Sequence, residues 1–253
     1  MRVSLCLLCV LWGAVAAWAA DFEYRGAIDP KDATSHLLAF YVHRFTPEEL
    51  KLTVSGQPDA RGYFNDLYMD LTGVVIEKVR LDKLTFRMKG VQFNAPERWP
   101  GGDVECEDAL QIYALATIQQ EDINKSLDAR TFGRDDHWRK LSLAITPKGL
   151  KARGYYELIG SMEILIEVDS GLKIVGNKEL WLKDPEVRIN RLDLPDYITK
   201  KALAQIQPLL DLRRFPLPLS LHKVALEEGK AHLSTRRLPE PMEEGVSYHY
   251  TSQ

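Results

Sequence analysis

Alternation of hydrophobic and polar residues predicts that β-strands make up most of this chain. Period-two runs begin near Glu49 and recur as far as Leu182, separated by short stretches rich in glycine, proline and aspartate. Strands that are adjacent in sequence and joined by such short turns pair antiparallel. The pattern predicts about ten strands in an antiparallel sheet. No long linker divides them, so we expect a single domain.

The run over residues 108–118 is the clearest predicted strand. One of its faces carries five apolar residues: Leu110, Ile112, Ala114, Ala116 and Ile118. Two hairpins follow, turning at residues 146–149 and 169–171, and residues 97–103 read as a loop. Between residues 79 and 88 the apolar positions change from odd to even numbers. A bulge or tight turn near Asp82 and Lys83 would keep both sets on one face.

Two helices interrupt the strand pattern. A short one is predicted from Asp29 to about Phe45. A longer one is predicted from Pro195 to Asp211, because proline suits the first helical position and Asp196 suits the first turn. Lys200 and Lys201 lie opposite its broad apolar face, which comprises Ile198, Ala202, Leu203, Ile206, Leu209 and Leu210. A strand over residues 187–192 precedes this helix, and a proline-led strand over 215–219 and a final hairpin follow it.

Composition and the N-terminal segment describe an exported globular protein. The 253 residues are 45% hydrophobic and 27% charged with a net charge of −3, which favours neither disorder nor nucleic-acid binding. Residues 1–19 have the charged start, apolar stretch and small-residue end of a signal peptide. An uncleaved anchor is the alternative. We therefore expect a mature domain over residues 20–253, a flexible tail over 239–253, and a location in the periplasm or cell envelope.

Candidate catalytic and metal-binding residues are few. The mature chain keeps one cysteine, Cys106, whose acidic neighbours Glu105 and Glu107 favour an inert thiol. His36 and His43 lack a third ligand nearby, and the side chains of residues 135–137 diverge within a predicted loop. No nucleophile elbow, phosphate-binding loop or zinc-protease motif is present. We therefore expect neither an enzyme nor a cofactor or metal.

Several stretches together resemble the LmeA-like phospholipid-binding family. The resemblance covers most of the mature chain and rests on the order of strands and turns. It is carried by residues 83–91 (KLTFRMKGV), the step from Ala116-Thr117-Ile118 to Asp122-Ile123-Asn124, residues 192–195 (LDLP), residues 215–219 (FPLPL) and residues 224–233 (VALEEGKAHL).

The resemblance implies an α+β, tubular lipid-binding (TULIP-like) fold, similar to one half of the bactericidal/permeability-increasing protein. In such a fold a long, strongly curved antiparallel sheet wraps one main amphipathic helix and leaves an apolar groove. The expected partner is a phospholipid or similar amphiphile, with transient contact to a membrane surface, no nucleic acid, and protein partners that are not identified.

We predict the walls of that groove from the two apolar patterns. The helix contributes Ile198, Ala202, Leu203, Ile206, Leu209 and Leu210, and the strands contribute Leu110, Ile112, Ile164 and Ile166. The basic residues Lys200, Lys201, Arg213 and Arg214 are candidates for headgroup contacts. Two alternatives remain open: an envelope interaction protein whose groove is filled by its own side chains, and a lipid-modifying hydrolase.

Overall fold

The computed structural model describes residues 21–76, 79–128, 138–157, 163–190, 192–193 and 207–253. Strands make up 57% of these residues, so this part of the chain is mostly β. The helices described are α1 (Ala33–Phe45) and α2 (Gln120–Asp128). The strands are β1 (Phe22–Arg25), β2 (Glu49–Val54), β3 (Tyr63–Ile76), β4 (Val79–Phe93), β5 (Cys106–Gln119), β6 (Trp138–Thr146), β7 (Gly149–Glu157), β8 (Glu163–Val175), β9 (Glu179–Ile189), β10 (Leu192–Asp193), β11 (Leu210–Asp211), β12 (Lys223–Glu227), β13 (Lys230–Ser234) and β14 (Val246–Thr251).

An eight-stranded sheet in the order β1-β14-β2-β3-β4-β5-β13-β12 forms the larger part of the molecule. It is strongly curled into a half-barrel and antiparallel, apart from the parallel pair of β1 and β14. The predicted meander is confirmed for β2 to β5, whose neighbours in sequence are also neighbours in the sheet. A six-stranded antiparallel sheet holds β10-β9-β8-β7-β6, with β11 also pairing with β9.

Helix α1 lies inside the curl of the eight-stranded sheet. Its start is fixed by a capping box: the Asp32 carboxylate accepts from the Ser35 amide at 2.7 Å, and the Ser35 hydroxyl accepts from the Asp32 amide at 3.0 Å. Leu37, Leu38 and Tyr41 on this helix are at most 1% exposed and belong to the largest core cluster. The short helix predicted near residues 29–45 is confirmed, and the curled sheet wraps it.

Two glycines explain how one sheet face stays apolar while the apolar residues change from odd to even positions. Gly73 on β3 (φ 66°) and Gly90 on β4 (φ 57°) have left-handed backbones, which glycine adopts without strain. Leu71 and Val74 are both buried on either side of Gly73, so the pattern changes there. The bulge predicted at Asp82 and Lys83 is wrong, because β4 keeps its register with β3 through those residues.

The stretch predicted as a loop at residues 97–103 is largely a 3₁₀ helix, Pro96–Gly101, that closes the core. Trp99 is 2% exposed and packs against Phe64 and Phe93 with ring centroids 6.2 and 6.0 Å away. Its indole N–H donates to the side-chain oxygen of Asn94 at 2.9 Å. A buried tryptophan with its polar edge satisfied is a core residue.

Residues 239–253 are not a flexible tail, so that prediction is wrong. Strand β14 lies between β1 and β2, and Tyr248 is fully buried. The Tyr248 hydroxyl donates to Asp32 at 2.9 Å and accepts from the Gln57 amide at 2.7 Å. These bonds tie β14 to the start of helix α1.

Other predicted boundaries also change. Strand β8 continues through residues 169–171, where the turn was predicted, and its register with β9 shifts there; the turn lies at residues 176–178. The predicted strand over 187–192 ends at Ile189, and residues 215–219 form no strand, although Leu217 and Leu219 are buried in the core.

The fold expected around one main helix at Pro195 needs correction in two respects. First, the helix that packs inside the curled sheet is α1. Second, the predicted helix does not extend to Asp211, because Leu210 and Asp211 form strand β11, in which Leu210 pairs with Leu180 of β9. Residues 194–206, which carry the rest of the predicted helix, lie outside the described residues. The two ends of that stretch are both fixed on β9, because Asp193 pairs with Arg188.

Helix α2 joins the two sheets. The Asn124 side chain accepts from the Leu143 amide at 2.7 Å and donates to the Leu143 carbonyl at 3.0 Å. The Gln120 side chain accepts from the Ile145 amide at 2.8 Å. Through these bonds α2 occupies polar groups on the edge of β6 that another strand would otherwise bind.

Candidate functional site

The six-stranded sheet has one apolar and one polar face. Five of the six even-numbered residues of β8 form an apolar row, which Ser170 interrupts: Ile164, Ile166, Val168, Leu172 and Ile174. Flanking strands extend this face, because Ile166 pairs with Ile189, Val168 with Val187 and Leu172 with Leu182. We call this surface the β8 face. Its members are Leu150, Ile164, Ile166, Val168, Leu172, Leu182, Val187 and Ile189.

A bulge keeps the face continuous. Between the pairs Asp169–Glu186 and Gly171–Lys183, one residue of β8 lies opposite two of β9. The backbone of Asp184 in this bulge is left-handed (φ 48°). Because of the extra residue, the β9 residues on this face are even-numbered before the bulge (Leu182) and odd-numbered after it (Val187 and Ile189).

Packing on the β8 face is looser than inside the curled sheet. Only Leu182 and Val187 are buried in its cluster, and Leu150, Ile166, Val168 and Leu172 are half-buried. The curled sheet is different, because side chains from α1, Trp99 and Leu217 fill its interior. The interior of the curled sheet is therefore filled by the protein's own side chains. The β8 face is the candidate surface for an apolar ligand.

The opposite face of the same sheet is charged. Asp169 forms ion pairs with Arg188 and, at 3.7 Å, with Lys151. Glu167 pairs in register with Arg188 across the strands. This amphipathic distribution leaves the β8 face as the side suited to hydrocarbon.

The predicted strand residues of the groove fall in different places. Ile164 and Ile166 both lie on the β8 face, whereas half-buried Ile112 packs against the core of the curled sheet. Leu110 is 77% exposed and its side chain lies over Gly90, so the predicted shared face of Leu110 and Ile112 is wrong. Lipid contact by these residues stays a prediction.

The predicted helix residues are described only at their end. Leu210 packs in a small cluster around Leu180, Leu221 and Leu233, and Leu209 is 41% exposed. Among the headgroup candidates, Arg213 is held by Asp211 at 2.7 Å and by Glu179. Arg214 lies at the end of a 3₁₀ helix, Leu212–Arg214. The remaining candidates lie outside the described residues: Ile198, Lys200, Lys201, Ala202, Leu203 and Ile206.

Several members of the β8 face were not among the predicted site residues. Leu150, Leu172, Leu182 and Val187 belong to strands that alternation does predict. Which sheet a strand joins depends on pairing between distant residues, and alternation does not report it. The bulge at Asp184 also hides the common face of Leu182 and Val187.

Two surface depressions in the described part of the chain are polar. The larger, of about 870 Å³, is lined by charged and amide residues including Glu48, Arg80 and Asp122. The smaller, of about 390 Å³, lies along β1, β14, β2 and β3. In the described ranges no cluster of three potential metal ligands occurs, and no helix has the length and apolarity to cross a bilayer.

The pKa of the Cys106 thiol is raised, which is the direction that the sequence predicted. Burial, followed by the charges of Asp108 and Glu107, raises its pKa to about 11. At neutral pH the sulfur is therefore protonated and a poor nucleophile. The sequence argument named charge as the cause, whereas burial is the larger effect.

A comparison with protein-family models settles the family. The model described as LmeA-like phospholipid-binding matches residues 42–236, which include α2 and every strand of the β8 face. This chain belongs to the LmeA-like phospholipid-binding family. Searches of curated proteins and of solved structures gave no significant match.

Residues 122–124, which are part of the resemblance to this family, connect the two sheets. Asp122 binds Arg80 at 2.9 Å, and Asn124 binds both polar groups of Leu143. These two residues fasten the curled sheet to the sheet that carries the β8 face. Phospholipid binding is the property of the family.

Proposed function

We propose that this protein binds a phospholipid-like molecule on the β8 face and carries it reversibly between membranes of the cell envelope, without catalysing a reaction. The observation that carries the proposal is an amphipathic sheet with a half-covered apolar face in a member of a phospholipid-binding family. Export through the N-terminal segment is part of the proposal. Residues 1–20 lie outside the described residues.

The size of the face supports this function. From Ile164 to Leu172 the apolar row of β8, with the buried Ser170 inside it, runs about 26 Å at about 3.3 Å per residue. The hydrocarbon of one leaflet is about 15 Å thick, half of a bilayer core of about 30 Å. The tails of one membrane lipid therefore fit along the row.

The energetics favour a carrier over a sink. Removing a dozen methylenes from water is worth about 10 kcal/mol, at about 0.8 kcal/mol each. In a bilayer those methylenes are already out of water, so transfer from membrane to protein changes the free energy little. A surface of this kind exchanges lipid in both directions.

The first experiment is lipid extraction and mass spectrometry of the purified mature protein, with transfer of labelled phospholipid between vesicles as the functional assay. We expect Ile166→Lys to reduce bound lipid and transfer at least tenfold, because a charge on the β8 face opposes hydrocarbon. Leu238→Lys is the control, since Leu238 is 57% exposed and lies outside both the β8 face and the predicted groove residues.

Circular dichroism and urea unfolding establish that both variants fold. Equal lipid loss in Leu238→Lys and Ile166→Lys would place the binding surface elsewhere. A wild-type protein that neither retains nor transfers lipid would overturn the proposed function.

A further inference from the structure

The end of the six-stranded sheet farthest from the curled sheet has a distinct composition. Its near end is joined to the curled sheet by backbone hydrogen bonds, such as Gly229 N–H to the Ile145 carbonyl at 2.9 Å and Leu221 N–H to the Asn177 carbonyl at 2.8 Å. At the far end the strands pair in two neighbouring rows across the sheet, Arg139–Tyr155–Leu165 and Tyr156–Ile164, whose residues we call the far row.

The far row combines aromatic and apolar side chains with cations. Tyr155 and Leu165 pair directly across β7 and β8 and are half-buried. They lie on the face opposite the β8 face, at the apolar end of an otherwise charged surface. The exposed Lys140 ammonium lies 5.5 Å from the centre of the Tyr155 ring. Tyrosine with a neighbouring lysine is typical of the boundary between membrane and water, where the ring meets hydrocarbon and the cation remains in water.

The apolar row of the β8 face reaches this end, because Ile164 belongs to both surfaces. A lipid that leaves a membrane at the far row would therefore contact the apolar side chains of β8 directly. At the near end, by contrast, Leu180 is buried in a cluster with Leu221, which precedes β12, and Leu233 of β13 in the curled sheet. The two ends of the β8 face thus differ in access.

Charges at the far row oppose one another. Arg139 pairs with Glu157 at 3.3 Å, and Glu157 lies in register with Glu163. Arg139 and Lys140 supply two positive charges, and Glu157 and Glu163 supply two negative ones. The described residues at the far row therefore carry no net charge. A strongly anionic surface is therefore not required, and contact depends on the aromatic and apolar side chains.

We propose that the far row is the surface on which the protein docks to a phospholipid bilayer, by insertion of Tyr155 and Leu165 at the interface and with little dependence on lipid charge. This inference rests on the proposed function. It adds the membrane-facing end of the molecule and the direction from which lipid reaches the β8 face.

Flotation with vesicles tests it, using phosphatidylcholine alone and phosphatidylcholine with phosphatidylglycerol. We expect the double variant Tyr155→Ser/Leu165→Ser to partition about tenfold less than wild type on both vesicles, because two side chains leave the interface. Tyr155→Phe should stay within about twofold of wild type. Val175→Ser, at the opposite end of β8 and 38% exposed, is the control and should leave partition unchanged.

Three results would overturn the docking surface: wild-type partition in the double variant, an equal loss in Val175→Ser, or loss of wild-type partition in high salt, which would indicate an electrostatic contact. Lipid content, measured on the same samples by mass spectrometry, separates the two proposals. Bound lipid with an unaffected double variant contradicts the far row alone. Absence of lipid from the wild type contradicts the proposed function.

Discussion

Arg80 connects three segments that are distant in sequence. Its guanidinium contacts Glu48, between α1 and β2, at 2.9 Å, and Asp122 in the first turn of α2 at 2.9 Å. The Asp122 side chain is 6% exposed, so it depends on this cation more than a surface carboxylate would. The hydrogen bond from Arg80 lowers the pKa of Glu48 below its usual value of 4.5. Arg80 therefore links β4 both to the residue that precedes β2 and to the first turn of α2.

Replacing Arg80 by methionine should lower the free energy of unfolding at neutral pH by about 2 kcal/mol, because it leaves the Asp122 carboxylate without its guanidinium partner. Glu48 has a lowered pKa in the folded state. Its contribution is therefore complete above pH 4.5 and is lost as the pH falls through that lower value. The difference between variant and wild type should therefore shrink in acid.

Urea unfolding over a series of pH values measures this difference. Arg61→Met is the matched control, since the Arg61 side chain is 83% exposed and its pair with Asp59 should contribute little. A variant deficit that stays constant down to pH 3 would contradict the electrostatic explanation.

At the scale of elements, two strands of the large sheet contain glycines with left-handed backbones, Gly73 in β3 and Gly90 in β4. A Cβ added at Gly90 would meet the Leu110 Cδ1 atom at 2.5 Å, and Gly90 also has a left-handed backbone. The exposed leucine of β5 thus occupies the space above a bend in β4. Two separate effects, a steric contact and a backbone preference, oppose any larger residue at this position.

A double-mutant cycle separates the two effects. We expect Gly90→Ala to destabilise the protein by about 2 to 3 kcal/mol, of which about 1 to 2 kcal/mol is the backbone cost of a non-glycine residue. In the background of Leu110→Ala the contact is relieved and only the backbone cost should remain. Leu110→Ala alone should change stability by less than about 0.5 kcal/mol. Full recovery of stability in the double variant would show that the backbone preference contributes nothing.

Local elements were predictable from the sequence, and their partners were not. Helix α1, strands β2 to β5 and the turn at residues 146–149 follow from alternation and turn residues close to one another. Trp99 was placed in a loop because prolines and glycines surround it, yet its indole fills the core. Two glycines and the bulge at Asp184 decide which residues share a face. The two β8 residues predicted for the site, Ile164 and Ile166, lie within one uninterrupted run.

At the scale of the whole molecule, the curled sheet is held together by residues from both ends of the described chain. Phe22 of β1 stacks on Tyr248 of β14 with ring centroids 4.7 Å apart, and β14 in turn pairs with β2. Short runs such as residues 246–251 pair with strands about 200 residues away, which period-two alternation cannot foresee.

Removing residues 246–253 should therefore abolish cooperative unfolding, because it removes β14, which lies between β1 and β2, together with the buried Tyr248. Removing only residues 252–253, which follow β14, is the control and should cost less than about 1 kcal/mol. Thermal unfolding followed by circular dichroism measures both. A cooperative transition near the wild-type temperature in the longer deletion would contradict the structural role of β14.

The place of β14 between β1 and β2 also sets the timing of folding. The sheet cannot close until residues 246–251 have left the ribosome, although β1 is synthesised more than 200 residues earlier. Pairings of such high contact order form slowly, in the range of about milliseconds to seconds. Until residues 246–251 have been synthesised, β1 lacks the strand with which it pairs, so this edge of the sheet stays incomplete while most of the chain is translated.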